Sequence, residues 1–201
     1  MGILESIRRL IDISREASEG IAKSFSELTG EKTDVQFLGI RFAPLEFLTE
    51  QFDDRIYKVV RIDFDGILTG KSLMLLPEED AVKLEKILLI DILWDSLVNR
   101  SELPEYSEIE TSVMNEVANI VVAAFLNVFA NALNSEINIT TPEFIKDSGI
   151  SVVESLAKEM EEKIDIALIF DNKINIIGKS LINCNILILI DPITIEQLDK
   201  I

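Results

Sequence analysis

The sequence contains no histidine and a single cysteine, Cys184. Without histidine, Ser-His-Asp triads, HExxH zinc sites and imidazole general bases are excluded. One cysteine cannot form an internal disulfide, which is typical of proteins from a reducing compartment. The first residues also lack the basic start of a signal peptide, so we expect a cytoplasmic protein whose chemistry uses carboxylates, amides or hydroxyls.

Basic residues are scarce: 19 lysines and arginines stand against 36 acidic residues, for a formal charge of −17. Such a charge repels nucleic-acid phosphates and anionic lipid surfaces, so neither is an expected partner. Uninterrupted apolar runs are also short, since the longest near the end is 186–190 and the apolar segment 113–133 is broken by asparagines. We therefore expect no membrane span, and the 48% hydrophobic content predicts a folded core.

The first half begins with helical periodicity over 3–29, followed by Gly30 at the position of a C-terminal cap. Three extended segments are then predicted as strands, at 33–47, 56–64 and 67–76. Asp65-Gly66 is typical of a hairpin turn between the last two. Pro77 and three following acids predict a helix that begins there and reaches Asn99.

The second half follows a proline-containing segment, 101–107, which is the predicted joint. The predicted helices are 108–134, 152–160 and a final one that begins near the end of the chain. The predicted strands are 164–170, 174–177 and 181–190, with a turn at 171–173. The whole pattern mixes helices and strands in an α+β arrangement.

The two halves resemble each other. Glu16-Ala-Ser-Glu19 corresponds to Glu116-Val-Ala-Asn119 at an offset of 100, and Leu76-Pro77 corresponds to Asp191-Pro192 at an offset near 114. If 143–160 is an insertion, the drift is explained, and the chain is one domain, 1–201, with pseudo-repeats of approximately 1–100 and 107–201. The alternative is chance similarity between two amphipathic patterns.

The long apolar helix carries one narrow polar stripe. Ser112, Glu116 and Asn119 are spaced by four and three residues, so they emerge on one helical face. Pro142 follows 22 residues after Asn119. Together they give the pattern Ser/Asp-x3-Glu-x2-Asn-x22-Pro, in which the sequence resembles the CheC family of chemotaxis phosphatases. The plainer interpretation is a set of solvated positions on a buried helix.

The resemblance implies both a fold and an activity. The fold would be a pseudo-twofold duplicated α+β fold with a continuous, mainly antiparallel sheet, two long motif-bearing helices and further helices packed on it. The activity would be hydrolysis of the aspartyl phosphate of the response regulator CheY. Asn119 would orient the attacking water, since an amide both donates and accepts hydrogen bonds but is a poor base. Glu116 would pair with a lysine of the regulator, with Ser112 and Pro142 in support.

The resemblance also implies what else the site needs. Magnesium is expected to arrive with the phosphorylated regulator, because the scattered carboxylates suggest no permanent metal or cofactor site. In the first half Asp12 and Glu16 keep the motif spacing, but Glu19 replaces the asparagine and Phe42 stands where the proline belongs, two residues before Pro44. Since a carboxylate repels a phosphoryl group, we expect this second site to be weak or inactive.

Two further hypotheses are compatible with the sequence. The protein could be a non-catalytic binding module of the chemotaxis or flagellar switch system, which binds the receptor deamidase CheD or acts like FliY. It could also be a structural relative that has kept the fold and one motif without interacting with any phosphorylated regulator.

Overall fold

The computed structural model describes residues 3–30, 32–43, 46–50, 52–99, 105–161, 167–177 and 182–191. Within these residues the helices are α1 (Ile3–Thr29), α2 (Glu46–Thr49), α3 (Glu78–Asn99), α4 (Tyr106–Ala132) and α5 (Gly149–Glu161). The strands are β1 (Lys32–Ala43), β2 (Ile56–Gly66), β3 (Gly70–Pro77), β4 (Ile137–Ile139), β5 (Glu143–Ser148), β6 (Ala167–Ile177) and β7 (Ile182–Ile190).

All seven strands form one sheet in the order β1-β6-β7-β3-β2-β4, and β5 also pairs with β2. Every pairing is antiparallel, so the expected α+β fold with a continuous antiparallel sheet is confirmed. Strands from the two halves of the sequence interleave, because β1 pairs with β6 while β2 pairs with β4 and β5. Both halves therefore contribute to one sheet, and the pseudo-repeat boundaries stay a prediction.

The strand residues alternate between two faces, as a pleated sheet requires. One face of β7 packs under the long helices α1, α3 and α4, and it consists of Ile182, Cys184, Ile186, Ile188 and Ile190. On the other face Leu187 and Leu189 pack with residues of α2 and α5. The central strand β7 is thus covered on both sides, which explains its nearly continuous aliphatic sequence.

Helix α4 lies in the thicker helical layer, beside α1 and over the sheet. Phe125 and Phe129 of α4 stack with ring centroids 4.9 Å apart. Both rings meet Phe170 of β6 edge to face, at 5.6 and 5.3 Å. By length and composition alone α4 could cross a membrane, but ten of its residues are buried against the rest of the domain.

Three predicted boundaries in the strands are wrong. β1 ends at Ala43 and α2 occupies Glu46–Thr49, so the strand predicted to run to 47 is shorter. β2 continues through Asp65 and Gly66, because both pair with β4, and the turn falls at 67–69 instead. The residues 171–173 form no turn, since each is paired with β1 on one side and β7 on the other.

The other predictions divide into confirmed and untested ones. The helices predicted at 3–29, 108–134 and 152–160 are confirmed within a few residues, as is the helix after Pro77. Gly30 has a positive φ of 64°, in agreement with its predicted capping role. Of the joint predicted at 101–107, residues 101–104 lie outside the described residues, but α4 already begins at Tyr106, so the joint ends earlier than predicted. Pro44 and the final helix also lie outside the described residues. Strands β4 and β5 were not predicted.

Candidate functional site

Helix α4 places the three predicted side chains together. Ser112 and Glu116 are exposed and Asn119 is half-buried, while Val117 and Ala118 between them are fully buried. Residues three and four apart on a helix are neighbours on its surface. The polar stripe predicted from the sequence is therefore a real surface of the protein, and it lies on a helix whose opposite side is fixed in the core.

Pro142 lies in the connection between β4 and β5, both of which pair with β2. The connection is held in place at Thr140, whose N–H donates to the Asp63 carbonyl at 2.9 Å and whose Oγ1 accepts the Asp63 N–H at 3.0 Å. A proline suits this gap because it cannot donate to a strand ladder. Helix α4 contacts both β4 and β5, so all four motif residues lie on adjoining elements.

Asn115 is a polar residue of this helix that sequence reasoning missed. Its Oδ1 is buried and accepts no hydrogen bond from the described part of the chain. It comes immediately before Glu116 and four residues before Asn119, so it borders the stripe. A buried acceptor without a donor is energetically costly. Nothing in the motif marks this position, and the sequence offers no signal that would have found it.

The first-half counterpart lies on α1, which packs beside α4. Asp12, Glu16 and Glu19 are all exposed, and Arg15 Nη1 lies 3.7 Å from Asp12 Oδ1. Glu19 lines a groove of about 500 Å³ between α1 and β1, together with Arg15 and Leu38. The structure thus gives this acidic stripe the same helical setting as the stripe on α4, but with a carboxylate at the asparagine position. The side chain of Phe42 lies outside the described residues.

Neither stripe forms a metal cage. Among the residues that the structure describes, no three histidine, cysteine, aspartate or glutamate side chains converge on one point. Whether magnesium arrives with a partner stays a prediction, since a shared ion would need few ligands from this chain.

A buried ionic cluster beneath the start of α4 was also missed. Lys58 of β2 is 1% exposed, and its Nζ lies 2.6 Å from Glu85 Oε1 of α3 and 2.5 Å from Glu110 Oε1 of α4. Tyr106 donates its hydroxyl to Glu85 Oε2 at 2.7 Å. We call these four residues the Lys58 cluster. A lysine between apolar strand residues gives no sequence signal of burial, because lysine is nearly always exposed.

The charges in this cluster stabilise one another. Burial by itself lowers the pKa of Lys58, but hydrogen bonds and attraction from Glu110 and Glu85 outweigh it and raise the pKa above its usual value. The hydrogen bond to Glu85, together with burial, raises the pKa of Tyr106 to about 12. The lysine is therefore charged and the tyrosine protonated at neutral pH.

Comparisons with known proteins agree with the sequence motif. Residues 109–145 match the CheC-like family, a segment that contains all four motif residues. A protein of Halobacterium salinarum named "Putative CheY-P phosphatase CheC1" is 29% identical over 178 residues, with 87% of each chain covered. The resemblance to the CheC family inferred from the sequence is confirmed.

Solved structures share the fold at low sequence identity. Thermotoga maritima FliY matches with a TM-score of 0.70 and 14% identity, covering 98% of this chain and 94% of that one. The FliM middle domain of H. pylori matches at 0.65 and 16% identity, covering 98% of both chains. A chain of the Borrelia burgdorferi CheX–CheY–BeF3–Mg complex matches at 0.51 and 16%, covering 90% and 97%.

Proposed function

We propose that this CheC-like chain is a chemotaxis phosphatase that hydrolyses the aspartyl phosphate of a CheY-type response regulator. The observation that carries the proposal is the joint presentation of Glu116 and Asn119 on one face of α4, inside the segment that matches the CheC-like family. The name of the Halobacterium relative supports the same activity. We place this activity in the cytoplasm.

Asn119 is the proposed catalytic residue. An aspartyl phosphate is a reactive acyl phosphate, so catalysis requires mainly that a water be oriented for in-line attack. A carboxamide can hold such a water by accepting one hydrogen bond and donating another, without acting as a base. Asn119 is half-buried and directly follows the buried Val117 and Ala118, which restricts its side chain and favours a fixed orientation.

Glu116 is the proposed docking residue. It is exposed one turn before Asn119, where its carboxylate can pair with a lysine on the phosphorylation face of the regulator. A charge-assisted contact at this distance fixes the register of docking and so the reach of Asn119. Ser112 and Pro142 support the site from the same helix and from the adjoining strand connection.

Magnesium is proposed to come with the regulator. The phosphorylated regulator would hold the ion beside its aspartyl phosphate, where the ion offsets the negative charge of the phosphoryl group. The exposed Glu116 would then approach a partly neutralised centre and not a bare anion. Chelation of magnesium should therefore abolish turnover without changing the fold of this chain.

The direct test is dephosphorylation of a CheY-type regulator that has been phosphorylated with acetyl phosphate. The wild-type protein should accelerate phosphate loss, and Asn119→Ala should reduce the acceleration by about 100-fold because no group remains to hold the water. Asn131→Ala on the exposed end of the same helix is the control and should keep full activity. An Asn119→Ala variant with the wild-type rate would show that the site is wrongly assigned.

A second candidate is a non-catalytic binding module, because the fold is shared with FliY and with FliM middle domains. In this case the protein would bind CheD or a component of the flagellar switch, without turnover. Co-purification with CheD that persists in an Asn119→Ala/Glu116→Ala double variant, combined with no phosphate release by the wild type, would favour the binding module.

A further inference from the structure

The start of α4 has no side-chain cap among the described residues. Glu105 is the N-cap residue, and its side chain makes no hydrogen bond to the first amides of the helix. The first four N–H groups of any helix lack partners within it, and an uncapped start frays. Ser112 and Glu116 follow only two and three turns later, so fraying would reach the proposed docking residues.

The Lys58 cluster attaches the first turns of α4 to the neighbouring elements β2 and α3. Tyr106 and Glu110 are four residues apart and therefore share a face of α4. Glu110 contacts Lys58 of β2 and Tyr106 contacts Glu85 of α3, so two successive turns are tied to two different elements. Glu110 is nine residues before Asn119, which places it about 180° around the helix and about 13 Å along it.

Stability alone does not explain the cluster. Lys58 and Glu85 are each 1% exposed and Glu110 is 13% exposed. Taking such charges out of water is costly, and apolar residues of similar volume often serve stability as well or better. An ammonium group that is paired with two carboxylates instead defines a geometry, because an oxygen of each carboxylate must lie close to the same nitrogen.

We propose that the Lys58 cluster clamps the first turns of α4, and so sets the affinity of the motif surface for a phosphorylated regulator. The proposal rests on the phosphatase function proposed above. Lys58, Glu85, Glu110 and Tyr106 are positioning residues that act through α4 and do not touch the substrate. Without the clamp the turns that carry Ser112 and Glu116 are helical for only part of the time, and docking must first order them.

This mechanism predicts a specific kinetic signature. Binding to a surface that is competent for only a fraction of the time raises the apparent dissociation constant by the inverse of that fraction. Once the regulator is bound, the helix is ordered and Asn119 acts normally. Loss of the clamp should therefore raise KM and leave kcat unchanged, whereas a merely structural role would reduce the amount of active enzyme and lower kcat at constant KM.

The main test variant is Lys58→Met/Glu85→Gln/Glu110→Gln, which removes all three charges together and leaves no unpaired ion. We expect it to fold, to raise KM about five- to ten-fold and to keep kcat. Amide hydrogen exchange at 109–116 should accelerate about ten-fold or more. Because this exchange is measured without any regulator, it tests the clamp even if the proposed phosphatase function is wrong.

Lys71→Met is the matched control. The Lys71 ammonium also contacts two carboxylates, Asp63 Oδ2 at 2.8 Å and Glu159 Oε1 at 2.9 Å, but these lie on the α5 side of the sheet, away from α4. This control should change neither KM nor the exchange of α4 amides.

Tyr106→Phe keeps the proposal testable if the triple variant fails to fold. It removes one hydroxyl from an exposed ring and leaves the ion pairs intact, so it should fold and raise KM about two-fold. It should also speed exchange of the Ile109 amide, whose N–H donates to the Glu105 carbonyl in the first turn of α4. Unchanged exchange in the variant that folds would overturn the clamp, as would a fall in kcat at constant KM.

Discussion

Helices α1 and α4 are alike in position and unlike in chemistry. Each is 27 residues long, and they pack side by side on the same face of the sheet. Each presents an exposed glutamate, Glu16 or Glu116, at the same place in its polar stripe. Three residues later α1 has the exposed Glu19 and α4 the half-buried Asn119.

The comparison teaches that exposure and helical spacing alone do not make the candidate site. Both stripes can be reached from solvent, and the groove beside Glu19 has a volume of about 500 Å³. Only α4 offers an amide, which can orient a water without repelling a phosphoryl group. The first turns of α4 are, in addition, held by the Lys58 cluster. Of the four predictions below, the first tests what the two helices share, and the other three test whether these differences decide function.

The largest expected effect concerns a feature that both helices share, a phenylalanine buried in the core. Phe25 of α1 and Phe125 of α4 are both fully buried, so replacing either with alanine should leave a cavity that costs about 3–5 kcal/mol of unfolding free energy. Urea denaturation of Phe25→Ala and Phe125→Ala measures this, with the exposed Leu38→Ala as the control. A loss below 1 kcal/mol for only one of them would mean that the two helices are not equivalent in the core.

The second prediction gives α4 a carboxylate at position 119, the position at which α1 has the carboxylate of Glu19. Asn119→Asp keeps the size of the side chain but replaces the amide by a carboxylate, which cannot donate a hydrogen bond and repels the phosphoryl group. We expect dephosphorylation of a CheY-type regulator to slow about 100-fold. Asn127→Asp, exposed two turns later on the same helix, adds the same charge and should retain most of the rate.

The sequence predicted the parts of this comparison that depend on local pattern. The bounds of α1 and α4 and the exposure of Glu16 and Glu116 follow from apolar residues at helical spacing. The strand pairing did not follow, because the interleaving of β1 with β6 joins distant segments and no local signal records it. The continuous strand through Asp171 is one consequence, since tertiary pairing overrode a turn-like composition.

The residues of the candidate site likewise divide into those that a local sequence pattern predicts and those that it does not. Ser112, Glu116 and Asn119 were found because a short motif lies on one helical face. Lys58 and Asn115 were not, because burial of a polar residue is decided by which elements pack over it. In Lys58 the decisive partners come from α3 and α4, both remote in sequence.

The third prediction compares the two glutamates directly. Glu116→Ala should raise the KM for the phosphorylated regulator about ten-fold, because a charge-assisted docking contact is lost, and the effect should shrink at high salt. Glu16→Ala, the same change at the corresponding position of α1, should leave KM unchanged. Steady-state phosphate release at several salt concentrations measures both variants. Equal effects of the two substitutions would show that the regulator also docks on α1.

The smallest expected effect is a gain on α1. If the carboxylate of Glu19 is what disables the first half, Glu19→Asn should create a weak second site beside Glu16, since the spacing of Asp12 and Glu16 is already correct. In the wild-type background the rate should rise by less than about two-fold, so the test belongs in the Asn119→Ala background, where new turnover is visible against a low baseline.

Glu19→Gln is the control, because it removes the same charge but extends the amide by one methylene. Turnover restored by asparagine and not by glutamine would mean that the position of the amide, and not loss of charge alone, separates α4 from α1. No turnover with either residue would place the difference elsewhere, in the anchoring of the helix start that α4 receives from Lys58.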